Sequence, residues 1–195
     1  MARQIRASGG RAQLLAADIS TEKGVEAVFS ALTDAFGRLD ILINNAGAGA
    51  AGPLVDFPME TFDMLIAANV RGLFLCCQRA IRMMMPAQRG VVINISSVVG
   101  FKGYPNQAAY AASKHAVMGI TKSLAAEAQP HGIRVSAVLP GGVDTDLMVR
   151  LRPDLERSKL MKPDDVADAV QFLVSLSDSA AVDEIYIRRR SSAPF

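Results

Sequence analysis

The sequence predicts an α/β fold, an open, doubly wound parallel sheet with helices on both faces. Short apolar runs alternate with longer segments of helical periodicity, several of the runs end in polar or glycine-rich turns, and 195 residues suit one domain. Strand-like runs lie at residues 12–17, 39–43, 91–93 and 133–139, and Ile185 alternates with Ile187 as a closing strand. Helices are predicted over 21–36, 58–68, 69–85, 108–129 and 163–176, the last with Val166, Val170 and Leu173 at core spacing. The helix at 69–85 is apolar on more than one side, with Leu73, Cys77 and Ile81 one way and Val70, Phe74 and Met84 others, so it is expected to be buried twice. Residues 1–195 read as a single domain without internal repeat or linker.

Composition narrows the function classes. Half of the residues are hydrophobic, 21% are charged and the net charge is only +2, so no nucleic-acid partner is expected. Arg188-Arg189-Arg190 reads as a solvated tail. No run approaches the ~18 uninterrupted apolar residues of a membrane span, and no apolar stretch of signal-peptide length follows Met1. A cytoplasmic protein with no membrane partner is the expectation. Cys76 and Cys77 are adjacent in an apolar helix, which suits a buried structural role, and His115 and His131 lack partners at metal-ligand spacing. No metal site is predicted.

The chemistry-bearing constellation is Tyr110 and Lys114, four apart on one helix face, with Ser97 upstream and Asn69 further upstream. A phenol titrates near pH 10, and a cation one turn away stabilises the phenolate and lowers that value, which suits acid–base work on an alcohol or ketone. Taken singly, each residue has a plainer role: a snorkelling lysine beside an amphipathic tyrosine, a strand-end hydroxyl, a helix cap. Three strand exits accompany them, namely Asn44-Asn45-Ala46-Gly47, Asn94-Ile95-Ser96-Ser97 and Pro140-Gly141-Gly142-Val143-Asp144-Thr145. In an open parallel sheet such exits converge on one crevice.

With these motifs, residues 11–187 resemble the short-chain dehydrogenase/reductase family, including its 3-oxoacyl-acyl-carrier-protein reductase members. The resemblance implies a Rossmann-like fold and hydride transfer between NAD or NADP and a secondary alcohol or ketone, with a 3-oxoacyl thioester as one option. It also implies roles. Tyr110 would be the acid/base, Lys114 would lower its pKa and bind the nicotinamide ribose, Ser97 would hold the substrate oxygen, and Asn69 would kink a helix and complete a proton relay. Asp18 and Ile19 would contact the adenine, Asn45, Ala46 and Gly47 the adenosine ribose side, and Pro140, Gly141, Val143 and Thr145 the nicotinamide. A bundle of the 69–85 and 108–129 helices with a second subunit is implied too, hence a homodimer or homotetramer.

One departure from the family pattern is large. The strand, Gly-rich turn and helix that would cradle a pyrophosphate at the N-terminus are absent, and Gly9-Gly10 does not replace them because it precedes residues 12–17 instead of following a strand. The expected fold is therefore a Rossmann-like sheet truncated at its N-terminus, its first βαβ unit absent. At ~4.8 Å per strand, residues 12–17 would lie about 14 Å from their nearest surviving neighbour. They should either pair with residues 39–43 or dock poorly, leaving a strand edge open. Two functional readings follow: an oxidoreductase acting on an alcohol or ketone, and a catalytically silent fragment that associates with family-like subunits. Substrate choice is expected to reside in residues 147–161, whose Arg150, Arg152, Arg157 and Lys159 suit either an anionic substrate or a solvated lid.

Overall fold

The computed structural model describes residues 2–194. Among them, four strands form one parallel sheet in the order β1 (Ile41–Asn44), β2 (Gly90–Ile95), β3 (Ile133–Pro140), β4 (Glu184–Ile187). Register is continuous at the carboxyl ends: Asn44 lies beside Asn94, Asn94 beside Ala137, and Ala137 beside Glu184. Period-two alternation then divides the apolar residues between two faces. Val92, Ile133 and Val135 join α2 (Glu22–Phe36), α4 (Gly72–Met84) and α5 (Ala108–Ala128) in one core around Val25, Phe29, Leu73, Cys77 and Val117. Ile93 and Val138 pack from the other face against Leu173 of α7 (Pro163–Ser175). Each such fully buried side chain contributes about 1.5–3 kcal/mol.

The predicted helices at 58–68 and 69–85 form one continuous rod, α3 (Met59–Ile66) running into α4 through a π turn at Ala67–Arg71 that carries Asn69. With its final turn the rod covers Met59–Ala87, 29 residues of mean hydropathy up to 1.3, long and apolar enough by length and composition to cross a membrane. Its apolar side is nonetheless used inside the fold: Leu65, Leu73, Cys76, Cys77, Ala80 and Met84 are all buried. The rod's outer side is mixed. Arg71, Gln78 and Arg82 occupy the outer side of the rod, and Phe74 is the large apolar residue exposed on α4.

Residues 12–17 form no strand. They run as exposed chain, Leu14 and Leu15 facing solvent, between a short helix, α1 (Ala2–Ala7), and Thr21, whose hydroxyl caps α2 by accepting from Gly24 N–H. Poor docking is thus the outcome. Arg11 moors the segment, its guanidinium donating to the Ala35 carbonyl and lying 5.0 Å from the Phe36 ring centroid. The physical consequence falls on β1. Its Leu42 packs on the α2–α4 side, whereas Ile41 and Ile43 point to the opposite face and are 39% and 45% exposed.

Polar groups in the interior are paired. Asn44 Nδ2 donates to Asn94 Oδ1 (2.8 Å) and Cys77 Sγ, Asn94 Nδ2 donates to Thr121 Oγ1 (2.9 Å), and Thr121 Oγ1 donates to the Val117 carbonyl. This ladder ties β1, β2, α4 and α5 together just below the strand exits. Among the described residues no buried side-chain nitrogen or oxygen lacks a partner. Both thiols are free and buried, and desolvation pushes Cys77 up to about 12, consistent with packing and not with nucleophilic work.

Gly132 makes the turn from α5 into β3 at a left-handed φ of 65°, where an added Cβ would lie 2.2 Å from the Gln88 carbonyl oxygen. Both the conformation and the contact exclude a side chain. Gly132→Ala is expected to destabilise the protein by about 2–4 kcal/mol in urea unfolding. Gly103→Ala, where an added Cβ meets nothing within 4 Å, should change stability by less than about 1 kcal/mol.

Candidate functional site

The carboxyl ends of β1, β2 and β3 open into one cleft of about 820 Å³, lined by Asn45 and Gly47 after β1, Ser96 and Ser97 after β2, Tyr110 and Lys114 on α5, and Pro140, Gly141, Val143 and Thr145 after β3. Nine of the thirteen residues named from sequence therefore meet there. Asn69 lies behind the wall. Asp18, Ile19 and Ala46 do not line the cleft: Asp18 is exposed and accepts from the Ser20 N–H and hydroxyl, while Ile19 packs on the core, its carbonyl close against Gly72.

Tyr110 and Lys114 are placed by α5, which buries Val117 and Thr121 beneath them. Lys114 is only 6% exposed, its ammonium donates to the Ile95 carbonyl at 3.0 Å, and it stands 5.9 Å from the centre of the Tyr110 ring. Burial disfavours charge on both groups. It brings Lys114 down to about 8 and pushes Tyr110 above its ordinary value, the latter partly offset by a hydrogen bond with the Ser97 side chain. The spacing argument expected the ammonium to lower the phenol. In the folded protein desolvation is the larger effect on Tyr110, and Ser97 is the group that opposes it.

Asn69 sits on the π turn, a distortion common at functional sites. Its Oδ1 accepts from Ala48 N–H at 2.7 Å, and its Nδ2 donates to the Ala48 carbonyl and to Ser113 Oγ. The side chain thereby pins the loop after β1 to α5. Gly47 fits closely at that junction, where a Cβ would stand 3.2 Å from Asn69 Oδ1 and 3.7 Å from Lys114 Nζ. Sequence reasoning missed Ser113, which donates to the Tyr110 carbonyl while receiving from Asn69. Its signal was a hydroxyl on the buried face of a helix, between the two titratable groups.

The turn after β3 is stapled to residues that follow it. Val143 pairs with Met161, Asp144 N–H donates to the Met161 carbonyl, Arg157 meets the Asp144 carboxylate at 2.7 Å, and Thr145 caps α6 (Asp146–Leu151) by accepting from Met148 N–H. Residues 146–161 thus close over the cleft as a flap, with Leu147, Met148 and Leu151 on its walls. The arginines after β4 correct the solvated-tail expectation. Gly141 N–H donates to the Ile187 carbonyl, so the chain leaves β4 across the glycine turn, and Arg188 and Arg189 become cleft-lining residues.

The donor set fits the nicotinamide half of a dinucleotide: a buried ammonium, two hydroxyls and a threonine converge with Gly47 and Gly141 on one cavity. For the diphosphate half, the described residues offer no Gly-rich strand-to-helix turn beside β1.

Comparison with known proteins agrees with this arrangement. Residues 1–156 match the family model described as short chain dehydrogenase. A 3beta-hydroxysteroid dehydrogenase of Mediterraneibacter gnavus is 37% identical over 76% of this chain, and (+)-borneol dehydrogenase 2 of Salvia officinalis is 39% identical over 81%. The chain spans 54% and 63% of those two proteins' lengths. Among solved structures, the 3-ketoacyl-(acyl-carrier-protein) reductase of Brucella melitensis complexed with NADH superposes with a TM-score of 0.86 at 34% identity, covering 96% of this chain and 81% of that one. A metagenomic short-chain oxidoreductase in complex with NADP gives 0.83 at 34% identity over 98% and 80%. By its sequence match, its parallel sheet and the convergence of its strand exits, the chain belongs to the short chain dehydrogenase family.

Proposed function

We propose that this protein is an NAD(P)-dependent oxidoreductase acting on a small secondary alcohol or ketone, with Tyr110 as its acid/base. The observation that carries the reading is the juxtaposition of Tyr110, Ser97 and the buried Lys114 in one cleft. The solved relatives complexed with NADH and NADP support the cofactor class. A 3-oxoacyl thioester is one substrate compatible with the family.

A bound nicotinamide supplies or accepts the hydride. The protein's part is the proton and the position. Tyr110 Oη donates to the carbonyl oxygen of a ketone or takes the proton of an alcohol, and Ser97 Oγ offers a preorganised hydrogen bond where negative charge develops. Lys114, near 8 by burial, holds or releases a proton close to neutral pH. Asn69 fixes the loop at Gly47 and Ala48, Thr145 and the turn at Pro140–Gly141 would face the nicotinamide, Lys114 its ribose, and Asn45 and Gly47 the adenosine ribose side. We assign Ala46 to the same loop, and Asp18 with Ile19 to adenine contact from the neighbouring segment. The protein works in the cytoplasm on this reading, without a nucleic-acid or membrane partner, as a homodimer or homotetramer.

A second reading is a catalytically silent chain that acts through association with family-like subunits. One experiment separates the two: calorimetric titration of the wild-type chain and of Tyr110→Phe with NADH and NADPH, beside a turnover assay on a ketone panel. The first reading expects nucleotide binding by both proteins, with turnover reduced at least about 100-fold in Tyr110→Phe. Absence of binding and turnover in the wild type leaves the second.

Lys114 also generates a pH prediction. Because its folded-state value lies near 8 and below its ordinary 10.5, the unfolded chain binds more protons between those limits, and stability rises with pH across that window. Below about pH 8 the buried cation opposes folding. Wild type should gain on the order of 3 kcal/mol relative to Lys114→Met between pH 8 and 10.5 in denaturant titrations. Parallel curves for the two proteins would remove the buried-cation argument.

Association is read from Phe74, 52% exposed on α4, together with α5, whose Ala112, His115 and Gly119 are also exposed. Light scattering is expected to give a dimer or larger species, and Phe74→Glu to shift it toward monomer by placing an unpaired charge in the interface. A wild-type monomer at all concentrations excludes this surface.

A further inference from the structure

We propose that the cleft takes a ketone or alcohol carrying an anionic terminus, a carboxylate or phosphate, and binds that terminus in an outer chamber at its flap side. This assignment rests on the reading of the cleft as an alcohol or ketone site and names its substrate class. The outer chamber, about 890 Å³, is continuous with the main cleft: Tyr104, Leu151, Arg152 and Arg189 line both. Its walls come from four separate segments, at residues 51–52, 102–107, 150–154 and 189–193. Each of the last three contributes at least one cation, giving Lys102, Arg150, Arg152 and Arg189 against one carboxylate, Asp154.

The two candidate cations on the far side of the flap are committed elsewhere. Arg157 pairs with Asp144 and Lys159 with Glu156. Arg152 is held differently: its Nε and Nη2 grip Asp154 Oδ1 and Oδ2, both at 2.7 Å, which fixes the guanidinium at the junction of the two chambers. Arg189 reaches the same place from the end of β4. Its side chain packs on Gly142, its charge acts on Asp154 from a distance, and among the described residues it makes no side-chain hydrogen bond or ion pair of its own. The tail that presents it is locked, because Arg188 Nη1 donates to the Ser192 and Arg189 carbonyls. One carboxylate therefore faces several guanidinium groups in a half-enclosed chamber next to Tyr110, and a second anion completes the charge pairing. Planar guanidinium forks suit a carboxylate or phosphate better than a neutral acyl chain.

The test reads binding and needs no turnover, so it stays informative even if the oxidoreductase reading fails. Levulinate and its two longer homologues, each against its methyl ester, and acetonylphosphonate as the phosphate arm, are titrated by ligand-observed NMR into the full chain and into Arg189→Gln and the charge-neutral pair Arg152→Gln/Asp154→Asn. At least one acid is expected to bind about fivefold or more tighter than its ester, with the preference shrinking at high salt and falling to about one in Arg189→Gln. Circular dichroism confirms that the variants are folded. Equal binding of acids and esters, no binding by any anion, or an acid preference that survives in folded Arg189→Gln overturns the proposal. Displacement of the acid by ADP also overturns it, since the cations would then belong to the nucleotide.

Discussion

A lysine ammonium buried at the end of a sheet is the constraint around which this fold is arranged. Lys114 is reached from α5, and its ammonium donates to the carbonyl of Ile95, the last residue of β2. That contact requires α5 to lie across the exits of β2 and β3 at close range. Gly100 permits the approach, since a Cβ there would stand 3.1 Å from the Lys114 carbonyl and 2.7 Å from Ser96 Oγ. The Asn44–Asn94–Thr121 ladder holds the same helix about two turns further along. An unpaired charge at this depth would cost several kcal/mol, so the helix cannot slide without stranding it. The placement of Tyr110 and Lys114 and the stability of the core are therefore one problem.

What could be read from sequence and what could not divide along a physical line. The helices, β2, β3 and the closing strand were legible because each carries its period and packs on a complete neighbour. Residues 12–17 have equally apolar composition, but strand pairing is non-local, and they do not join the open edge of β1. Tyr110, Lys114, Ser97 and Asn69 were legible through local spacing and motif. The identity of the partners of Asn69 was not, because Ala48 and Ser113 meet it through three different elements. Arg188 and Arg189 were misread as a solvated tail for the same reason: only the pairing of Ile187 with Gly141 turns them into the cleft. The helix at 69–85, read as apolar on more than one side, carries Arg71, Gln78 and Arg82 as well as Phe74 on its outer side.

The sheet is unequally protected, and this matters for the cleft. β2 and β3 are covered on both faces, whereas β1 has α2 and α4 on one side and exposes Ile41 and Ile43 on the other. Local stability follows covering, so β1 and the Asn45–Gly47 loop should open more readily than the Ser97, Tyr110 and Lys114 region. Asn69 counters that tendency. By bonding both the N–H and the carbonyl of Ala48, it attaches the loop to the rigid α4–α5 side instead of to the exposed strand.

The flap links this rigidity to the surroundings of Tyr110. Its exposed Arg157–Asp144 pair is worth at most about 1 kcal/mol, and the stronger hold comes from burial of Leu151 and Met161, 6% and 8% exposed. Leu151 packs directly with Val99 and Tyr110. The flap therefore shares in the burial of Tyr110, and burial is what raises the phenol's pKa. Displacing Leu151 would admit water to the phenol and weaken the effect, leaving Ser97 as the nearer influence. Flap closure and the tuning of Tyr110 are in this way a single packing event, and the same helix that delivers Leu151 ends at Arg152, at the threshold of the outer chamber.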